Sequence, residues 1–171
     1  MKRRDTSLRC FFLSLFHYFP AIKCHNRPMS ILLDKVKDFF QKKERATLAY
    51  SDGFTLFYSE EHGLDTLIGI HSMLDKVNLK DFVFVDRVIG KPAACFFCLF
   101  QPKEVHGLIM SKPALEMLSA HHIIATYDLL VEDILTKDRN AVGHYEALVR
   151  SISDPTEGVR IILDEKRRAY A

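Results

Sequence analysis

Phe82-Val-Phe-Val-Asp-Arg-Val-Ile-Gly90-Lys-Pro-Ala-Ala-Cys-Phe-Phe-Cys-Leu-Phe100 leads through Gln101-Pro-Lys-Glu104 into Val105-His-Gly-Leu-Ile-Met-Ser-Lys-Pro-Ala-Leu-Glu-Met-Leu-Ser-Ala120. Residues 82–85 are a continuous β-prone run of the kind a sheet buries on both faces. A helix over 90–100 follows, then a strand over 105–110, a helix over 112–120 and a further strand over 122–126. Strands alternating with helical stretches of about ten residues are the signature of βα crossovers and parallel pairing.

Upstream, Ser30 reads as a helix N-cap with Asp34 in the first turn. Leu32, Val36, Phe39 and the stem of Lys43 recur at helical spacing, so the spacing predicts a helix to about residue 43. Ala46-Thr-Leu-Ala-Tyr-Ser51 and Phe54-Thr-Leu-Phe-Tyr58 flank Asp52-Gly53, which predicts an antiparallel hairpin with a two-residue turn. Leu64, Leu67, Ile68, His71 and Leu74, widened by Ile70, Met73 and Val77, predict a second helix covered on most sides and ending near Asn78. Downstream the pattern predicts a helix from Asp128, a loop over 137–143, a helix over 145–151 and a last helix opened by Asp154-Pro155-Thr-Glu157. The expected fold is α/β: a three-layer α/β/α sandwich with a mixed sheet.

The chain has 171 residues, 48% of them hydrophobic and 27% charged, with seven Gly and six Pro; this suits one globular domain and excludes a disordered or collagenous chain. Residues 1–28 carry six basic side chains against Asp5, a charge of +5, which leaves −3 of the total +2 for residues 29–171. The basic excess lies in the N-terminal stretch, so nucleic acid is not an expected partner. The apolar run Cys10-Phe-Phe-Leu-Ser-Leu-Phe-His-Tyr-Phe19 follows Arg/Lys at positions 2–4 like a targeting signal, yet it lacks a small-residue cleavage site and is too short to span a bilayer. Residues 1–28 are read as an extension, disordered or outside the functional protein. Met29 opens a single domain over 29–171, and no membrane partner is expected. Four cysteines at this length read as reduced thiols of a cytoplasmic protein.

Gly90-Lys91-Pro92-Ala93 and Ser111-Lys112-Pro113-Ala114 each close a strand and open a helix. Proline in a first turn leaves free N–H groups at the positive end of the helix dipole, and the lysine adds a full charge. Two such openings side by side would hold an anion, at the strand ends where open α/β sheets usually place ligands. Ordinary helix starts with solvated lysines are the plainer alternative. Asp86, Glu116, His144 and Glu146 are the acid/base candidates, and none of them forms a nucleophile triad at readable spacing. Cys95-Phe-Phe-Cys98 sits past a first turn among aromatics, which suits core thiols better than a redox pair. It lacks a second pair for zinc, and the adjacent His121 and His122 complement it poorly.

Asp86-Arg-Val-Ile-Gly-Lys-Pro-Ala-Ala94, Ser111-Lys-Pro-Ala-Leu-Glu116, Tyr127-Asp-Leu-Leu130 and Glu146, in this order and spacing, resemble the bacterial family called domain of unknown function 1893, over residues 33–163. That resemblance implies a cytidine-deaminase-like fold. Deaminases of that superfamily bring His-x-Glu at one helix start and Pro-Cys-x-x-Cys at the next, so that three ligands hold zinc and the Glu moves protons. Here the corresponding openings read Lys91-Pro92-Ala93 and Lys112-Pro113-Ala114-Leu115-Glu116. The family's Cys-Pro-Met-Glu stretch reads Gly143-His144-Tyr145-Glu146, in which only the glutamate survives. No metal or cofactor is expected. The leading expectation is a deaminase-fold protein binding a small anionic, nucleotide-like ligand through Asp86, Gly90, Lys91, Ser111, Lys112, Glu116 and Glu146. The alternatives are a non-catalytic interaction or self-association module, and a metal-independent enzyme using the same pocket.

Overall fold

In the computed structural model, residues 29–138 and 140–169 are described; the expectation for residues 1–28 lies outside them. The order is α1 (Ile31–Lys42), β1 (Leu48–Ser51), β2 (Leu56–Ser59), α2 (Asp65–His71), β3 (Val83–Ile89), α3 (Lys91–Phe100), β4 (Glu104–Ser111), α4 (Lys112–Ala120), β5 (Ile124–Val131), α5 (His144–Leu148) and α6 (Pro155–Ala169). Five strands form one mixed α/β sheet in the order β2-β1-β3-β4-β5. β1 pairs antiparallel with β2 and β3, whereas β3, β4 and β5 run parallel.

Side-chain alternation divides two cores. Val83, Val85 and Ala49 face α1, which buries Leu33, Val36 and Phe40 against them. Phe84 and Leu48 face the larger core, built from α2, α3, α4, α6 and the segment around Val149. The centre of that core is α3, where every residue from Pro92 to Phe100 except Leu99 is buried. It packs against α2, α4, α5 and α6. Gly158 of α6 is what admits this closeness, since a Cβ there would lie 2.6 Å from Cys95 Sγ.

All three parallel strands change facing at one level. Along β3 the residues in the larger core are Phe84 and then Ile89, along β4 Val105 and then Met110, along β5 Ala125 and Tyr127 and then Leu130. In a regular strand such pairs would lie on opposite faces, because side chains alternate with period two. The change falls where the ladder skips Arg87, Leu108 and Asp128 while keeping its register. It puts Ile89, Met110 and Leu130, near the strand ends, on the side of the larger core.

Several expectations need correction. No helix starts at Asp128: β5 continues through Val131, because Tyr127, Leu129 and Leu130 complete the ladder with Gly107, Ile109 and Met110. Its start moves from residue 122 to Ile124, since His122 takes the left-handed conformation (φ 60°) that closes α4. The hairpin turn spans four residues, 52–55, between Ser51 and its partner Leu56; Asp52 Oδ1 accepts from Phe54 N and Thr55 N. Helix α2 is shorter than its apolar pattern, with Met73 and Val77 exposed in the turns after it. The buried stripe of α1 is Leu33, Val36 and Phe40, one position on from Leu32 and Phe39. The Ser30 cap is present, its Oγ accepting from Leu33 N at 3.2 Å. So is the Asp154 cap, accepting from Thr156 N at 3.0 Å.

Candidate functional site: two helix openings closed by a carboxylate

Because β3 and β4 are parallel neighbours, the helices that follow them open side by side. Glu146, from the short helix α5, occupies the space between the two openings. Its Oε2 accepts from Lys91 N at 3.0 Å, the first amide of α3, and its Oε1 accepts from Ser111 Oγ at 2.9 Å. Ser111 also caps α4, accepting from Ala114 N at 3.3 Å. A buried carboxylate thus takes the anion position that dipole and amides favour. Burial pushes the Glu146 pKa up, outweighing the Lys91 amide and the Ser111 hydroxyl, which pull it down.

The remaining members of the predicted set fall into two groups. Gly90, Lys91, Ser111 and Glu146 meet in space. Gly90 supplies the room: a Cβ there would lie 2.4 Å from Glu146 Oε2 and 3.1 Å from Ile134 Cγ1. The lysine head groups have separate partners. Lys91 Nζ donates to the Arg150 carbonyl at 2.6 Å, and Lys112 pairs with Glu132. Asp86 lies inside β3, paired across the ladders with Leu48 and Gly107. Its Oδ1 accepts from Val88 N at 3.0 Å, and loss of hydration raises its pKa to about 7. Glu116 is exposed on α4. His144 pairs with Glu165 at 2.9 Å near the surface.

Asp133 and Arg150 escaped the sequence reading. Asp133 Oδ2 accepts from Arg150 at 3.2 Å, while its Oδ1 is buried without a hydrogen-bond partner among the described residues. Its charge also helps to raise the Glu146 pKa. No signal in the sequence marks Asp133, because the pattern ends the strand at residue 126 and places residue 133 in a helix from Asp128, whereas β5 runs to Val131. Glu132, Glu146 and Arg150 are therefore held at the openings by Lys112, Ser111 and Lys91, while the Asp133–Arg150 pair joins the two ends of that stretch to each other.

Among the described residues, Cys95 and Cys98 make no hydrogen bond to Glu146, Lys91 or Ser111. Cys95 and Cys98 are buried, and burial raises their thiols to about 11 and about 12. Cys95 Sγ rests 3.4 Å from Met117 Sδ. No group of three or more His, Cys, Asp or Glu suited to a metal ion occurs among the described residues.

Gly90→Ala is expected to destabilise the fold by about 1–3 kcal/mol, the usual cost of overpacking. The Gly90 φ of −90° is open to alanine, so the loss would come from contact with Glu146. Thermal unfolding checks this, and Gly90→Ala with Glu146→Ala should lose less than the sum of the two single changes.

A five-stranded mixed sheet with two adjacent helix openings closed by an internal carboxylate defines an α/β protein whose candidate site lies at the ends of parallel strands. The chain belongs to the family described as a domain of unknown function (DUF1893), which matches residues 35–165. Among solved structures it is similar to the crystal structure of a DUF1893 family protein from Thermotoga maritima, with 28% identity, a TM-score of 0.73, and coverage of 82% of this chain and 94% of that one. No curated protein matches the chain.

Proposed function

We propose that this protein binds a small anionic, nucleotide-like ligand over the α3 and α4 openings, in the cytoplasm and without zinc chemistry. The observation that carries this reading is the carboxylate of Glu146 between Lys91 N and Ser111 Oγ: the two openings together make an anion cradle. In this reading the ligand's anion takes the place of the Glu146 carboxylate, and Lys91 and Lys112 exchange Arg150 and Glu132 for ligand oxygens. Asp133 Oδ1, which has no donor among the described residues, favours a ligand that also carries N–H or O–H groups. The same reading takes the sheet, with α1 on one side and the other helices opposite, as a three-layer cytidine-deaminase-like sandwich. No helix among the described residues is long and apolar enough to cross a membrane. The buried Glu146 carboxyl, its pKa raised by burial, favours one second reading, a metal-independent enzyme that uses the same pocket.

Thermal shift with inorganic phosphate, pyrophosphate and nucleoside mono- and triphosphates tests the binding reading. A ligand present at a hundred times its Kd should stabilise the fold by about 2.7 kcal/mol. Lys91→Ala and Lys112→Ala should each weaken binding by about 1–3 kcal/mol, non-additively. Absence of any shift in both the wild type and Glu146→Gln would end this reading.

A further inference from the structure

β2 lies at the edge of the sheet with β1 as its only neighbouring strand among those described. Its Leu56, Phe57 and Tyr58 are all exposed, and Phe54 at the hairpin tip is 97% exposed. No charged residue or proline interrupts Leu56-Phe-Tyr-Ser59. Natural edges are usually blunted by charge, proline or a bulge. The opposite edge, β5, has such a charge in mid-strand: Asp128 is held by Lys37 at 2.5 Å.

On the face away from α1, aromatic rings stack across three strands. Phe84 of β3 lies 5.0 Å from Tyr50 of β1 at an interplanar angle of 11°, and Tyr50 lies 5.1 Å from Phe57 of β2 at 17°. The stack ends on Phe57, which is 42% exposed. On the other face Tyr58 packs edge-on to Phe39, with Lys43 Nζ 5.4 Å from its ring centre.

We propose that β2 pairs antiparallel with β2 of a second copy of this chain, about a two-fold axis at Phe57. In that register Phe57 meets Phe57 of the other copy, so the aromatic stack continues through the axis. Leu56 and Tyr58 then face each other reciprocally, as an isologous contact requires. A second copy fits better than an unrelated strand because it brings an aromatic at the level where the stack stops. Pairing β2 with β5 would leave edges open and build a fibre, and the Asp128–Lys37 pair opposes it. With an aromatic ring offering about 150–250 Å², the exposed parts of Phe54, Leu56, Phe57 and Tyr58 supply roughly 400 Å² per copy. Together with the main chain this sits near the low end of specific interfaces, so the dimer is weak and concentration-dependent.

Sedimentation equilibrium of the full chain over a wide concentration range tests this, and a reversible monomer–dimer transition is expected. Phe57→Lys should weaken the dimer at least tenfold while leaving the circular dichroism spectrum unchanged. In a Cys10→Ser, Cys24→Ser background, Phe57→Cys should oxidise to a disulfide-linked dimer much faster than Phe54→Cys, whose side chain is more exposed but off the axis. That comparison decides the matter even if Phe57→Lys fails to fold. A monomer at every concentration, a dimer indifferent to Phe57→Lys, or equal cross-linking of the two thiols would overturn the proposal.

Discussion

Glu146→Ala should lower the unfolding free energy by about 2–4 kcal/mol, because it leaves the Lys91 amide and the Ser111 hydroxyl buried without an acceptor and opens a small cavity. For a domain of this size the melting temperature would fall by roughly 5–15 °C. Glu146→Gln should cost far less: its amide oxygen still accepts, and it brings no charge into a place where burial disfavours one. Acetate should recover part of the loss in the alanine variant and none in the wild type, by entering between the two helix openings. Equal melting of the alanine and glutamine variants, with no response to acetate, would show that the carboxylate does not hold the openings together.

Asp86→Asn should act in the opposite direction. The carboxyl titrates near 7 in the fold against an ordinary value of 3.8, chiefly because it is desolvated beside Leu48 and Gly107. A group whose folded pKa is raised contributes stability that is complete below its unfolded pKa and is lost as pH rises through its folded pKa. Wild-type stability should therefore decline between about pH 4 and pH 7 through this group. Asparagine keeps an acceptor for Val88 N without the charge. The variant should match the wild type near pH 4 and exceed it by roughly 2–4 kcal/mol above pH 7. Denaturant unfolding across this range checks it, and a constant difference between the two proteins at all pH values would contradict it. An acid retained against such a cost marks Asp86 as a position to examine once a ligand is found.

The central block was legible because its signals agree with one another: β-rich runs end in Gly-Lys-Pro or Ser-Lys-Pro, and proline, which ends a strand ladder, is favoured in the first turn of a helix. α4 has the bounds that its pattern predicts. Tyr127-Asp-Leu-Leu130 misled because adjacent leucines and a polar residue fit a helical face as well as a strand whose facing changes midway. The turn at Asp52-Gly53 misled because the Asp52 carboxylate bonds Phe54 and Thr55 and so carries the turn past Gly53. At the site, Lys91 and Ser111 were legible as helix openings, whereas their occupant was not. Glu146 lies 55 residues from Lys91, beyond the reach of any spacing rule, so the sequence offers it as an acid/base candidate and through the family resemblance but not as the partner of these openings. The same distance hid the reason for Gly90, whose missing side chain matters because of a carboxylate from another part of the chain.

That carboxylate has a thermodynamic consequence. An anion drawn from solution leaves two helix openings half-occupied whenever it is dilute, and the fold is then tied to supply. Glu146 is tethered to the chain it stabilises, so its effective concentration at the openings is set by the connection through 132–143 and is unaffected by dilution. The chain can complete its core alone. Any incoming anion must compete with an intramolecular rival, which raises the threshold for occupancy and rewards only a molecule that makes further contacts. In the proposed reading the tether would act as a filter, admitting multivalent ligands and turning away the free ions of the surrounding solution.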